Sequence, residues 1–291
     1  MKKYKGFQLS WWLILLETVL MVLLQGILLY FLPYMNENLS ILISQSVIIV
    51  PILLGILILK IYNPFDTVSN MLGIRSFDIT FLIPLILMPV CSSFFISYIT
   101  APVSSVIYEI FGEYDSGFKT PENLVDFTYI FLYLCIIAPI TEEILFRGII
   151  LKLLDRYGTI FTIIISSLAF AILHFNPTGF IPIFFLGIIL ALLKLGTGSI
   201  FAPVVFHAAN NFLSFMILIF EKTITVPEYT AIIFSVCAAA LFPVLLFIFF
   251  KFYCNKFYFI GTGEKSGFSA ALLITVLLYA AICISTAFLS V

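Results

Sequence analysis

The chain has 291 residues, 63% of them hydrophobic and only 10% charged, with a formal net charge of −1 and a mean hydropathy of +1.21. Soluble domains carry roughly 25% charged residues, so this composition excludes a soluble fold and predicts an all-α, polytopic transmembrane helical bundle. No net positive charge marks a nucleic-acid surface. The five cysteines, Cys91, Cys135, Cys237, Cys254 and Cys283, fall in or beside apolar stretches with no CxxC pair, and read as packing residues, neither a disulfide framework nor a metal site.

The first apolar stretch runs from Trp11 to Leu32 after MKKYKGFQLS, with no small-residue cleavage site, and reads as an uncleaved span in a chain beginning at or near Met1. Further stretches of spanning length, or close to it, follow at about Ile41 to Tyr62, Ile79 to Ile99, Phe127 to Leu154, Thr159 to Phe175, Phe180 to Leu195, Ile200 to Phe220, Thr230 to Tyr253 and Phe268 to Leu289. That gives nine spans in one membrane domain covering residues 1–291, or eight if the short sixth is re-entrant. Alternation of nine helices gathers Lys2, Lys3, Lys5, Lys60, Arg75, Lys152, Arg156, Lys194, Lys251, Lys256 and Lys265 on one side and leaves only Lys119 and Lys222 opposite. By the positive-inside rule the amino terminus is cytoplasmic in a multi-pass protein of the cell membrane.

The longest polar connection is expected from Thr100 to Val125. Within it Thr120 reads as a helix cap and Pro121 as the first helical residue. Glu17, alone in the first span, reads as a packing or snorkelling residue.

Chemistry concentrates in the fourth, fifth and seventh spans. TEEILFRG, Thr141 to Gly148, sets Glu142, Glu143 and Arg147 inside an apolar stretch, where ionisable groups are costly and usually functional. On a helix Glu143 and Arg147 share a face and can pair, while Glu142 is rotated by about 100° onto a neighbouring face. FAILH places Phe170 and His174 on one face of the fifth span, and HAANN places His207 and Asn211 on one face of the seventh. At about 1.5 Å per residue, Glu142 lies roughly 18 Å from the cytoplasmic end of its span, His174 roughly 22 Å along the fifth, and His207 and Asn211 roughly 11 to 17 Å along the seventh. A carboxylate, two imidazoles and an amide can therefore meet near the midplane, which is the inventory of a hydrolytic site. A glutamate and two histidines also make an acceptable zinc set. There is no HExxH helix, however, and the neighbouring arginine disfavours a cation, so no cofactor is expected.

In order and spacing these three motifs resemble those of the CAAX protease and bacteriocin-processing family of membrane proteins (CPBP, Abi): a double glutamate followed by arginine, then phenylalanine and histidine four apart, then histidine and asparagine four apart. The resemblance covers roughly Phe127 to Phe220 and implies a catalytic core within residues 124–220. It implies an intramembrane endopeptidase of glutamic type, in which Glu142 and His174 activate water and His207 with Asn211 form an oxyanion hole, supported by Glu143, Arg147 and Phe170. The partners it implies are the bilayer and a membrane-associated peptide or protein, in peptide processing or bacteriocin self-immunity. Two other readings compete: a non-catalytic membrane scaffold or immunity protein, and a proton-coupled transporter using Glu142, His174 and His207 as a relay, although the two halves show no internal repeat.

Overall fold

The computed structural model describes residues 5–31, 37–76, 79–112, 120–220, 227–254 and 269–289. Among these there is no strand. The helices are α1 (Gly6–Phe31), α2 (Glu37–Gln45), α3 (Ile49–Tyr62), the short α4 (Val68–Leu72) and α5 (Leu82–Phe111). After them come α6 (Leu124–Leu153), α7 (Thr159–Ile172), α8 (Phe180–Thr197), α9 (Phe201–Phe220), α10 (Glu228–Tyr253) and α11 (Ala270–Leu289).

Six of these helices are long and apolar enough to cross a membrane, and three shorter apolar ones, Ser46–Tyr62, Thr159–Ile172 and Ala270–Cys283, fall where the sequence predicts the remaining spans. The protein is a multi-pass helical bundle. Many large apolar side chains, among them Leu23, Leu53, Ile83, Ile233 and Phe247, lie on its outside, as expected where the surrounding solvent is lipid. The sixth predicted span is a continuous 18-residue helix, α8. The short one is instead α7, whose 14 residues reach only about 21 Å, against a hydrocarbon core of roughly 30 Å.

Two expectations at element ends are corrected. The polar connection expected from Thr100 is helical as far as Phe111, with Pro102 inside α5. The apolar run simply continues through Val103, Val106 and Ile110, which lie on the outside of the bundle, and where lipid offers the backbone no partner the remaining helical bonds outweigh the one lost at proline. The cap of α6 is Asn123, not Thr120: the Asn123 side chain accepts from Val125 N at 2.9 Å and Asp126 N at 3.0 Å, and its Nδ2 donates to Asp126 Oδ2 at 2.8 Å. The side chains of Lys119 and Lys222 lie outside the described residues.

Contacts fix which helix ends meet. The start of α1 meets the start of α7 through the Phe7 and Phe161 rings, and the start of α5 meets the end of α10 through Phe81 and Phe249. At this same end the buried Lys194 of α8 donates to Leu72 O at 2.8 Å, Ile200 N to Gly73 O at 2.9 Å, and Ser199 Oγ to Arg75 O at 2.6 Å, so that α4 is strapped across the bundle. Lys194 is therefore a buried cap on the C-terminal carbonyl of α4, not a charge in a solvated loop. Lys194→Met leaves the Leu72 carbonyl without its donor and should cost about 1 to 3 kcal/mol, read as a lower melting temperature in detergent. Lys251→Met, at an exposed position, should leave the melting temperature near wild type.

Candidate functional site

The polar residues of the three motifs converge, and the local winding of α6 helps to explain how. Residues Leu132–Ile137 and Ile144–Ile150 are π-helical, flanking a single α-helical turn, Ala138–Glu143. Such widened turns are uncommon and often accompany functional sites. In the first of them Ala138 N donates to Tyr133 O, and Pro139 has no N–H to offer, so the Leu134 carbonyl is left free of the helix ladder. Asn211 Nδ2 donates to it at 3.0 Å.

At the centre, Glu143 is fully buried and its Oε1 accepts two bonds, from Arg147 Nη1 and from His207 Nδ1, each at 3.0 Å. Arg147, 1% exposed, has its other terminal nitrogen bonded to Gly187 O at 3.0 Å, and its guanidinium lies 4.4 Å from the centre of the Phe170 ring. Gly187 can serve in this way because α7 and α8 touch there: a Cβ on it would stand 2.9 Å from Ser167 Cβ and 3.0 Å from Ser167 Cα. Phe170 also meets both imidazoles edge-on, at centroid distances of 4.6 Å to His174 and 5.7 Å to His207. It is thus a spacer between a cation and two rings.

His174 lies just beyond the last residue of α7, in the turn towards α8. Its Nδ1 is 2.7 Å from Phe170 O, one of the carbonyls a helix end leaves without a partner. A carbonyl only accepts, so Nδ1 carries the proton. The next residue, Phe175, holds a left-handed backbone (φ 48°), strained for an aromatic side chain. Its ring is packed against Tyr279 of α11.

With both Nδ1 atoms committed, the two Nε2 atoms face Glu142. Each is 3.9 Å from Glu142 Oε2, which is buried without a hydrogen-bond partner among the described residues. That spacing is too long for a direct bond and suits one bridging water. Glu142 and His174 keep some exposure, with side chains 16% and 31% accessible, whereas His207 is at 3%. No group of three His, Cys, Asp or Glu among the described residues is arranged to hold a metal ion.

All seven residues singled out from the sequence thus lie in one region, but two of their connections differ from the simplest helical reading. Glu143 bonds His207 as well as Arg147, and Asn211 turns its amide to Leu134 while Asn210 faces away, accepting from Ser93 Oγ at 3.3 Å. Sequence reasoning missed Gly187, whose only signal was a lone glycine in an apolar span. Glu17 is 3% exposed, so it does not snorkel. Its Oε2 has no partner among the described residues, and it lies within electrostatic reach of Glu142.

Residues 124–213 match the family model described as Type II CAAX prenyl endopeptidase Rce1-like. The match covers about a third of the chain and contains all three motifs. The resemblance read from the motifs is therefore found independently over the segment that carries them. Comparison with curated proteins and with solved structures gives no match.

Glu143→Gln should leave the buried Arg147 charge uncompensated, a loss of about 3 to 5 kcal/mol in comparable pairs, and should give a poorly folded protein. The double variant Glu143→Gln, Arg147→Met should recover much of that loss, because the orphaned charge is gone. Expression level and melting temperature of the two variants, measured side by side, check this.

Proposed function

We propose that the protein is an intramembrane endopeptidase that hydrolyses a peptide bond in a membrane-associated peptide or protein, using water activated by glutamate and histidine. The observation that carries this reading is the convergence of Glu142 Oε2 with two imidazole Nε2 atoms at 3.9 Å each, with both Nδ1 atoms tied elsewhere. The Rce1-like match over the same segment supports it.

A water between Glu142 and His174 finds two acceptors for its two hydrogens, which turns its oxygen lone pair outward. As that oxygen bonds to the peptide carbonyl carbon, Glu142 takes one proton and the carbonyl oxygen gains negative charge. His207, protonated on both nitrogens against the Glu143 carboxylate, donates from Nε2 to this oxyanion. Asn211 donates the amide hydrogen that its bond to Leu134 leaves over. When the tetrahedral intermediate collapses and the C–N bond breaks, Glu142 returns its proton to the leaving amine. The chemistry needs no cofactor. Arg147 serves by neutralising Glu143, so that Glu142 and Glu143 keep different roles.

The test compares the amino and carboxyl termini of membrane proteins in cells carrying wild-type or Glu142→Gln protein. Termini present only with the wild type are expected, and Glu142→Gln should keep expression and melting temperature near wild type. If the variant generates the same termini, the peptidase reading is wrong and a non-catalytic scaffold is the better account.

Asn211 and Asn210 separate oxyanion support from packing. Asn211→Ala should slow turnover by roughly 100-fold or more, as loss of an oxyanion donor does. It should also lower the melting temperature, because the Leu134 carbonyl loses its donor. Asn210→Ala should do much less to both, measured as product formed per folded protein.

A further inference from the structure

Beside the site lies a cavity of about 420 Å³ between α5, α8 and α9, lined by Ser93, Ser97, Thr100, Ser104, Asn210 and Ser214 on its polar side and by Ile183 and Leu186 among its apolar residues. Its inner end is at Ser93 and Asn210, one helical turn from His207. From Ser93 to Ser104 it follows α5 for about 16 Å, the length of about five extended residues.

The polar wall faces the cavity mostly with acceptors. Ser93 Oγ donates to Pro89 O at 2.8 Å, Thr100 Oγ1 to Ile96 O at 2.8 Å and Ser214 Oγ to Asn210 O at 3.2 Å, so their lone pairs remain for another donor. Ser104 Oγ is buried without a partner among the described residues, and Asn210, whose Oδ1 shares the single Ser93 hydroxyl proton with Pro89 O, keeps its amide hydrogens. Alternating N–H and C=O groups of an extended peptide need such partners at this depth, where lipid supplies none. A prenyl or acyl chain needs none, and Ser104 Oγ and the Asn210 amide hydrogens would stay unsatisfied against it.

The direction of the cavity follows from the helix ends. Going from Ser93 to Ser104 and from Asn210 to Ser214 leads towards the C-terminal ends of α5 and α9 and the start of α6. Among the described residues the charges at that end are acidic, Glu109, Glu122, Asp126 and Glu228, whereas Lys5, Lys60, Arg75, Lys152, Arg156, Lys194 and Lys251 all lie at the other. The positive-inside rule makes the basic end cytoplasmic.

We propose that this groove binds an extended, unlipidated peptide segment that reaches Glu142 from the extracytoplasmic face. The proposal rests on the peptidase reading for its occupant, and names the substrate class as the exposed segment of an exported peptide or protein.

Single cysteines in the full-length protein, in intact cells, test the groove without reference to activity. The probe is a sulfonated, membrane-impermeant maleimide, read above the background of the wild-type chain. Ser97→Cys and Ser214→Cys should react from outside, because the groove holds water. Ile99→Cys, on the outside of the same helix, should stay unreactive in lipid, and Lys251→Cys should react only after permeabilisation. Silence at both groove positions, or reaction there only after permeabilisation, overturns the proposal. Ser97→Trp, which fills the groove beside an intact Glu142, should reduce the Glu142-dependent termini at least ten-fold at unchanged melting temperature, and Ile99→Trp, on the outside of the same helix, should not. Undiminished termini with Ser97→Trp overturn the groove and leave the peptidase reading standing. If no Glu142-dependent termini exist, the peptidase reading and the peptide occupant fall together, and the labelling pattern still decides which face the cavity meets.

Discussion

The structure depends on one carboxylate oxygen. Glu143 Oε1 accepts from Arg147 on its own helix and from His207 on α9, in surroundings where neither charge has water. A buried pair of this kind is weak support for stability in itself, since desolvation cancels most of the attraction. Its effect is specificity: with one imidazole nitrogen held by Glu143, the ring of His207 can turn only its Nε2 towards Glu142. Arg147 in turn is held by Gly187 O and by the Phe170 ring, so that α6, α7, α8 and α9 are registered against one another through a single ionic centre.

Backbone irregularity does the rest. In a regular α-helix every interior carbonyl is consumed by the ladder, and a neighbouring helix can be recognised only through side chains. The π turn before Glu142, together with Pro139, releases the Leu134 carbonyl, which becomes a docking point for Asn211 of α9. His174 uses the same device at the end of α7, where the Phe170 carbonyl is free because the helix stops. Asn211 thus ties α9 to α6, and the His174 ring is held on the end of its own helix, by carbonyls that regular winding would have hidden. This fits the general pattern in membranes, where departures from helical winding occur where protein or water satisfies the backbone.

How far the sequence could be read follows from which of these forces act within one helix. Apolar run length located the apolar helices, six of spanning length and three shorter among the described residues, because it depends on the solvent alone. The Glu143 and Arg147 pair was legible because four residues separate them on one helix. The bond from Glu143 to His207 was not, since nothing in either motif states which nitrogen of a ring on α9 faces which oxygen on α6. Asn211 was placed correctly on the face of His207, yet its bond to Leu134 depends on a π turn that no residue pattern announced. At the helix ends Thr120 and Asn123 both had capping chemistry, and the choice fell to Asn123, whose amide also bonds Asp126.

The shortness of α7 ties the fold to the chemistry. A full-length span would carry its C-terminal turn to the membrane surface and leave only helix at mid-depth, dry on every side. Fourteen residues instead end the helix about 21 Å from its start, within the thickness of the hydrocarbon core. The turn containing His174, Phe175 and Thr178 must then be satisfied by protein or water, and Thr178 lines the cavity that runs along α5. Hydrolysis inside a membrane requires that water reach a carboxylate without flooding the ion pair behind it. The accessibilities are graded in that sense: His174 at 31%, Glu142 at 16%, His207 at 3% and Glu143 at 0%. The Phe170 ring packs against both the more exposed His174 and the buried Arg147, and so separates the two environments.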